Sequence, residues 1–299
     1  MGYLKHKEKA GDLSNFQFAL LLTLPVVLFL VTIIIYPLLY SIWASFQQIS
    51  FFGGYRTNFV GFKNYIDVLH SPSFWNGAIV SLRFMVESVV LTLSVGLGIA
   101  LTLKGILKGR GIMYSIIIFP WAVSCYGAGI IFKYFWGGIR SFPSALSFIL
   151  GEGRSINMLD EHIVIEAISI GNAWHLAPLV ALFLLANMQT IPTRLYDMAE
   201  IDNLGGFRKF YYVTLPYLRY SLFIFTSIVA VLSLKMFDYI FVQTGGGPGT
   251  ASAALTYEIY KESFQNLNLG YGAAMSFYLL FLILALTILN YLFWGRKMV

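Results

Sequence analysis

An all-α integral membrane protein with six transmembrane helices is the fold class that this sequence predicts. Three observations carry the prediction. The 299-residue chain is 58% hydrophobic and 11% charged, whereas soluble domains are about half apolar and about a quarter charged. Its mean hydropathy is +0.73. Six stretches have the roughly 20 apolar residues needed to cross a hydrocarbon core. The 26 Phe and 19 Tyr residues suit lipid-facing surfaces and interfacial belts.

The six stretches are residues 16–43, 78–103, 112–135, 163–185, 220–242 and 271–294. The first carries Pro25 and Pro37 as kink positions. Ahead of it, a basic start (Lys5, Lys7, Lys9) precedes an apolar run too long for a cleaved leader. Residues 1–15 are therefore expected to form a cytoplasmic segment, and residues 16–299 one transmembrane unit. Basic residues set the orientation. With the N-terminus in the cytoplasm, twelve of the 20 Lys and Arg residues fall inside: Lys5, Lys7, Lys9, Lys104, Lys108, Arg110, Arg194, Arg208, Lys209, Arg219, Arg296 and Lys297. Five fall outside (Arg56, Lys63, Arg140, Arg154, Lys261) and three lie within spans (Arg83, Lys133, Lys235). The opposite orientation would invert that imbalance, so both termini are expected in the cytoplasm.

The same composition excludes other classes. The basic residues are dispersed, which membrane orientation explains and nucleic-acid binding does not. The one cysteine, Cys125, lies in an apolar run, so internal disulfides and cysteine metal sites are ruled out. No phosphate-binding G-x-x-x-x-G-K-[ST] motif occurs. No nucleophile–base–orienter set is visible, so the chain is not expected to be an enzyme.

One of the few charge-dense stretches is YDMAEIDNLGGFRKFYYVTLPYL, residues 196–218, in the cytoplasmic loop between the fourth and fifth spans. Pro192 suits the first turn of a helix, and Thr190 or Thr193 offers a cap. Asp197, Glu200 and Asp202 follow early, where the helix dipole favours acids. Leu195, Met198, Ala199 and Ile201 supply a narrow apolar side. Gly205-Gly206 is expected to end or turn the helix. Arg208 and Lys209 then begin a second segment that enters the fifth span at Leu215-Pro216. A helix lying on lipid headgroups favours a basic polar face. This one is mostly acidic, and an anionic leaflet repels acids, so the hook is expected to dock a protein.

Ionisable side chains within spans cost a few kcal/mol or more, which makes them functional candidates. Arg83 and Glu87 stand i,i+4 on the second span and can pair. Lys235 and Asp238 stand three apart on the fifth. Either they satisfy each other, or they line a polar path with Tyr239 as an aromatic platform. Asn172, Trp174 and His175 repeat this mixture on the fourth span. Such mixtures suit polyols, because aromatic faces meet sugar C–H surfaces while polar groups bond hydroxyls. His175 has no second ligand at metal spacing, so no metal site is expected. Glu166, near the entrance of the fourth span, is expected to be solvated, and Asn187 and Gln189 to cap the loop. The run Gly245-Gly246-Gly247-Pro248-Gly249-Thr250 is either a flexible turn or an external contact loop; no Lys follows it, which argues against a phosphate cradle.

The segment DMAEIDNLGGFRKFYYVTLP resembles the cytoplasmic loop signature of binding-protein-dependent ABC importer permeases. Asp197 stands at the acid position, Met198 and Ala199 at the two alanines, and Asp202 at the aspartate. Phe210 and Leu215-Pro216 match the closing part. Asn203 and Leu204 replace the usual glycine and alanine, and Gly205 and Gly206 follow. FVGFKNY (residues 59–65), FPWAVS (119–124), KMFDYIFVQTGGGPGTAS (235–252) and LGYGAAMS (269–276) resemble the carbohydrate-uptake branch of the family, in the right order. Ser81-Leu82 departs from an Asn-Thr pair usual in the second span.

The resemblance implies a permease subunit of an ATP-driven importer for a sugar, oligosaccharide or related polyol, in a prokaryotic cell membrane. Tyr196, Asp197, Met198, Ala199, Asp202, Gly205, Gly206 and Phe210 would belong to a coupling helix seated in a cytoplasmic ATPase. ATP and Mg would bind two such ATPase subunits, and this chain would hold no cofactor. A second, homologous permease would complete the pore as a heterodimer. An extracytoplasmic binding protein would deliver the solute, touching Gly245, Gly246, Gly247 and Pro248. Asn172, Trp174, His175, Lys235, Asp238 and Tyr239 would border the solute path. The rival is an ion-gradient-driven secondary transporter. Such proteins often carry inverted repeats, and none is visible here.

Overall fold

In hydrocarbon every backbone polar group must bond within its own segment, so long apolar runs become helices. The computed structural model describes residues 14–51, 54–105 and 109–294. Lys5, Lys7, Lys9, Lys108, Arg296 and Lys297, together with residues 1–13 of the predicted N-terminal segment, lie outside the described residues.

Helix α1 runs Phe16–Ser45. A hairpin of β1 (Gln47–Ser50) and β2 (Arg56–Phe59) follows, in antiparallel register with Gln47 opposite Phe59. Then come α2 (Lys63–Leu69), α3 (Pro72–Lys104), α4 (Arg110–Ala122), α5 (Cys125–Trp136), α6 (Phe142–Ile149), α7 (Val164–Met188) and α8 (Thr193–Ile201). The chain continues through α9 (Gly206–Leu234), α10 (Asp238–Gln243), α11 (Leu255–Tyr260) and α12 (Leu269–Trp294). Among the described residues, α1, α3, α7, α9 and α12 are each long and apolar enough to cross a membrane, and α4 with α5 makes a sixth crossing if counted as one. The β1–β2 hairpin marks one end of the bundle and the α8 hook, reached by Lys104 at the end of α3, the other.

Pro37, Pro216 and Pro120 are absorbed in two ways. A proline ring lacks an N–H and collides with the carbonyl four residues earlier. In α1 a π-helical turn at Val31–Ile35 contains Ile33, four residues before Pro37. In α9 a π turn at Phe210–Thr214 contains Tyr212, four residues before Pro216. The wider turn relieves the collision without ending the helix. Pro120 marks a different outcome. The predicted single helix over 112–135 is two helices bent by 91°. Val123 is extended, and the Ser124 hydroxyl restarts the helix by accepting from the Gly127 N–H at 3.1 Å.

The predicted fifth span, 220–242, is also corrected. Its helix begins earlier, at Gly206, and stops at Leu234, with α10 starting three residues beyond Lys235. Lys235 closes one helix and Asp238 opens the next, so each charge faces the favourable pole of a helix dipole.

Helix α7 is the axis of the fold. Two clusters share it. One, towards the hairpin end, joins Val80, Phe84, Phe132, Trp136, Ile168 and Tyr239. The other, towards the hook, joins Ala100, Leu103, Leu176, Leu184, Leu218 and Phe225. Tyr239 packs so closely on α7 that a Cβ at Gly171 would overlap its hydroxyl, which is why glycine stands there.

Candidate functional site

The hook is built from α8, the turn after it, and the start of α9. Helix α8 begins without a side-chain cap: Pro192 itself holds the N-cap position, and the Thr190 hydroxyl donates instead to the Asn187 carbonyl at 2.9 Å. The predicted threonine cap is thus not made. Nor do the glycines turn the chain. Asn203 takes the left-handed conformation, at φ 52°, which Asn tolerates better than most side chains. Gly205 is extended and N-caps α9. The residue that departs from the family pattern therefore does the glycine's work.

The expected single apolar side is two sides. Leu195 and Ala199, one turn apart, face inward with Ile191, Tyr196, Leu204 and Val213. Met198 and Ile201 face outward, 51% and 81% exposed, and Phe207 joins them at 80%. Asp197 and Asp202 flank this apolar corner in the open. Among the predicted hook residues, Asp197, Met198, Asp202, Gly205 and Gly206 are exposed, whereas Ala199 is buried and Tyr196 and Phe210 are partly covered. Sequence reasoning passed over Phe207; its signal was a large aromatic directly after the glycine pair.

Three contacts brace the hook. Tyr196 Oη and Thr214 Oγ1 share a 3.0 Å hydrogen bond. The Lys104 ammonium sits 3.6 Å from the Tyr196 ring centroid. Lys209 Nζ donates to Glu200 Oε1 at 2.7 Å. That bond, with the lysine's charge, holds the Glu200 carboxyl below the usual glutamate range. A depressed carboxylate contributes its tie above its ordinary value and loses it as acid protonates it, so the link is intact at neutral pH.

The six residues predicted to border a path do not form one lining. Tyr239 is fully buried against Gly171 and Phe132, so it is no platform for a solute. Asn172 is buried and donates to Ser233 Oγ at 3.3 Å, tying α7 to α9. His175 Nε2 donates to the Val123 carbonyl at 2.9 Å. It thereby satisfies a backbone acceptor freed by the α4–α5 break, a need invisible in the sequence. Trp174 is partly covered, with its ring edge on Phe132. Lys235 and Asp238 are exposed, and no ion pair joins them among the described residues.

The charged group with clear geometry lies elsewhere. Arg83 Nε donates to Glu87 at 2.9 Å, as the spacing predicts. The same guanidinium also bonds Glu166 on α7, which is therefore engaged and not simply solvated. Ser169 donates to the other Glu87 oxygen at 3.1 Å. Asn187, expected to cap a loop, instead donates to Ser221 on α9. The Ser81 hydroxyl, where the family pattern differs, accepts from the Leu255 N–H at 2.8 Å and so satisfies a first-turn donor of α11.

The glycine run is a stitched turn. Gly245, Gly246 and Gly249 have left-handed φ of 60°, 82° and 57°. Ser252 donates to the Gly247 carbonyl at 2.6 Å and lies 2.7 Å from the Thr244 hydroxyl. Gly246 is buried beneath the Tyr257 ring, so it is not available for outside contact; Gly245, Pro248 and Gly249 are exposed and Gly247 is half-buried.

The bent-helix bundle with its braced, apolar-tipped hook is a fold shared with a chain of an ABC importer. A bacterial ABC transporter that imports the acidic polysaccharide alginate has a chain of this fold, at TM-score 0.81 and 16% identity over 93% of this chain and 95% of that one. No family model matches the sequence. Curated relatives do. It is 36% identical over 283 residues to the trehalose/maltose transport system permease MalF of Thermococcus litoralis, covering 92% of each chain. It is 32% identical over 269 residues to the sulfoquinovosyl glycerol transport system permease SmoG of Agrobacterium fabrum, covering 89% of this chain and 86% of the relative. The protein belongs to the family of sugar ABC transporter permeases.

Proposed function

We propose that this permease forms half of the pore of an ATP-driven importer for a sugar, oligosaccharide or related polyol. The relatives' names support the solute class. ATP and Mg bind two separate ATPase subunits, and this chain hydrolyses nothing. An extracytoplasmic binding protein delivers the solute to the hairpin end. An alginate transporter of the same fold is known in complex with its alginate-loaded periplasmic protein. A second, homologous permease completes the pore. The exposed Lys235 and Asp238, with Trp174, border the path; the buried Asn172, His175 and Tyr239 support it from behind. Gly245, Gly247 and Pro248 belong to the surface that meets the binding protein.

The topology proposed is six crossings with α4–α5 as the bent third, both termini and the hook in the cytoplasm, in the cell membrane (inner or plasma membrane) of a prokaryote. Residues 1–15 form the N-terminal segment and 16–299 the transmembrane unit, with its coupling loop at about 190–216. The distribution of basic residues supports this orientation.

The observation that carries the proposal is the hook's outward corner. Met198, Ile201 and Phe207 stand open beside Asp197 and Asp202, and a large exposed apolar patch rimmed by polar groups marks a protein interface. Asp202→Arg should abolish uptake and release the ATPase subunits on purification while the permease stays in the membrane. Charge reversal at a packed interface costs on the order of 2–5 kcal/mol, against little on a free surface. If uptake and ATPase co-purification both survive, the hook does not dock there.

A further inference from the structure

We infer that Lys104 and Tyr196 form a strut that ties the end of α3 directly to the hook, beside the hook's covalent links to α7 and α9. This rests on the hook being the ATPase-docking element. The connection to α9 is covalent and is reinforced by the Tyr196–Thr214 and Glu200–Lys209 bonds. The connection to α3 is of another kind. Among the described residues no hydrogen bond or ion pair joins α8 to α3; the contact is the Lys104 ammonium over the Tyr196 ring, 3.6 Å from its centroid.

Tyr196 is suited to this position. Its ring lies partly covered among Ile191, Ala199 and Val213, and its hydroxyl is held by a buried Thr214. The face that remains is turned to the last residue of α3. A cation over a fixed aromatic face is directional and is strengthened by partial desolvation. Tyr196 is therefore a positioning residue within the permease and not part of the surface offered to the ATPase.

Helix α3 is a long lever. Arg83 lies 21 residues before Lys104 on the same helix, about 30 Å away at 1.5 Å per residue. There Arg83 and Glu87 grip Glu166 and Ser169 of α7. Movement at the hook thus reaches the hairpin end of the central helix along one rod. Without the strut, the hook would reach α3 only indirectly, through α7 and α9, whose Leu184, Met188 and Leu218 pack on Ala100 and Leu103.

The test uses the assembled transporter in proteoliposomes, with Cys125 replaced by Ser and spin labels at Thr193 on the hook and Leu101 on α3. Distances are measured without nucleotide and after trapping with Mg·ATP and vanadate. In the otherwise unaltered protein the distance should be the same in both states. Lys104→Met, which keeps length and removes charge, should broaden it and separate the two states. Lys104→Arg, which still stacks, should restore the single distance. Tyr196→Phe should behave as Lys104→Arg, and Tyr196→Leu as Lys104→Met. ATPase subunits should co-purify with every variant. A distance that changes with nucleotide in the unaltered permease overturns the inference, even if no variant folds. So does Lys104→Met keeping one distance, or Lys104→Arg failing to rescue it. Failure of the ATPase subunits to co-purify with the unaltered permease would instead sink the docking reading, and the strut with it.

Discussion

Helices α1 and α7 are both apolar and both long enough to cross a membrane, yet they are used in opposite ways. None of the most apolar 18-residue stretch of α1 is buried, whereas 72% of that of α7 is. The greasier helix is the unpacked one. In a bilayer, lipid tails solvate Leu and Phe as well as another helix does, so apolarity alone brings no two helices together. Packing comes from small residues and from polar side chains that reach across. Helix α7 carries Ala167, Gly171, Ala173, Ala177 and Ala181 on buried positions, and Gly96 of α3 fits closely against its Ala177 and Val180. Its Ser169, Asn172 and His175 bond Glu87 and Ser233 on other helices and the Val123 carbonyl at the α4–α5 break. The two threonine hydroxyls of α1 turn back on their own helix: Thr23 to Ala19 O and Thr32 to Leu28 O, both at 2.8 Å.

Substitutions in matched pairs would break or sharpen this contrast. The largest effect is expected from Gly171→Leu, which must displace the Tyr239 hydroxyl and Phe132. Such overpacking costs about 3 kcal/mol or more, and the purified chain should lose its folded, monodisperse form in detergent. Ala19→Leu in α1 should leave that form unchanged. Next, Leu184→Ala should cost roughly 2–4 kcal/mol of stability through its cavity, whereas Leu22→Ala should cost under about 0.5 kcal/mol. Thermal unfolding of the isolated permease measures both. If Leu22→Ala is as costly as Leu184→Ala, α1 packs within this chain and the contrast falls. The smallest effect belongs to Ser169→Ala, about 0.5–1 kcal/mol for a lost interhelical bond. Thr32→Ala should be silent, because its hydroxyl joins nothing across helices.

The same distinction explains which parts of the site were legible. The hook announced itself through charge in an otherwise apolar chain, and its acids do lie in the open. Its orientation was not legible: Leu195, Ala199, Met198 and Ile201 share one short helix, and only the packing against Val213 shows which pair turns inward. The Arg83–Glu87 pair followed from i,i+4 spacing, but its third member, Glu166, is 83 residues further on. Lys104 was visible only as an orienting charge, since its contact with Tyr196 spans two elements. The substrate-path set was read from residue type. Type alone could not separate Lys235 and Asp238, which end helices in the open, from Asn172 and His175, which are consumed by helix-to-helix bonding.

Hydropathy determined that the chain crosses a membrane, and the distribution of charge determined where its hook would be, because transfer energies and local periodicity are properties of a segment. Motif order along nearly the whole chain pointed to the permease family for the same local reason. Only the tertiary structure decided that the helix predicted over 112–135 is bent, that Asn203 and not glycine turns the hook, and that the central axis is α7. Those outcomes depend on which groups meet across helices, and a bilayer leaves that choice to close steric fit and to hydrogen bonds between residues far apart in sequence.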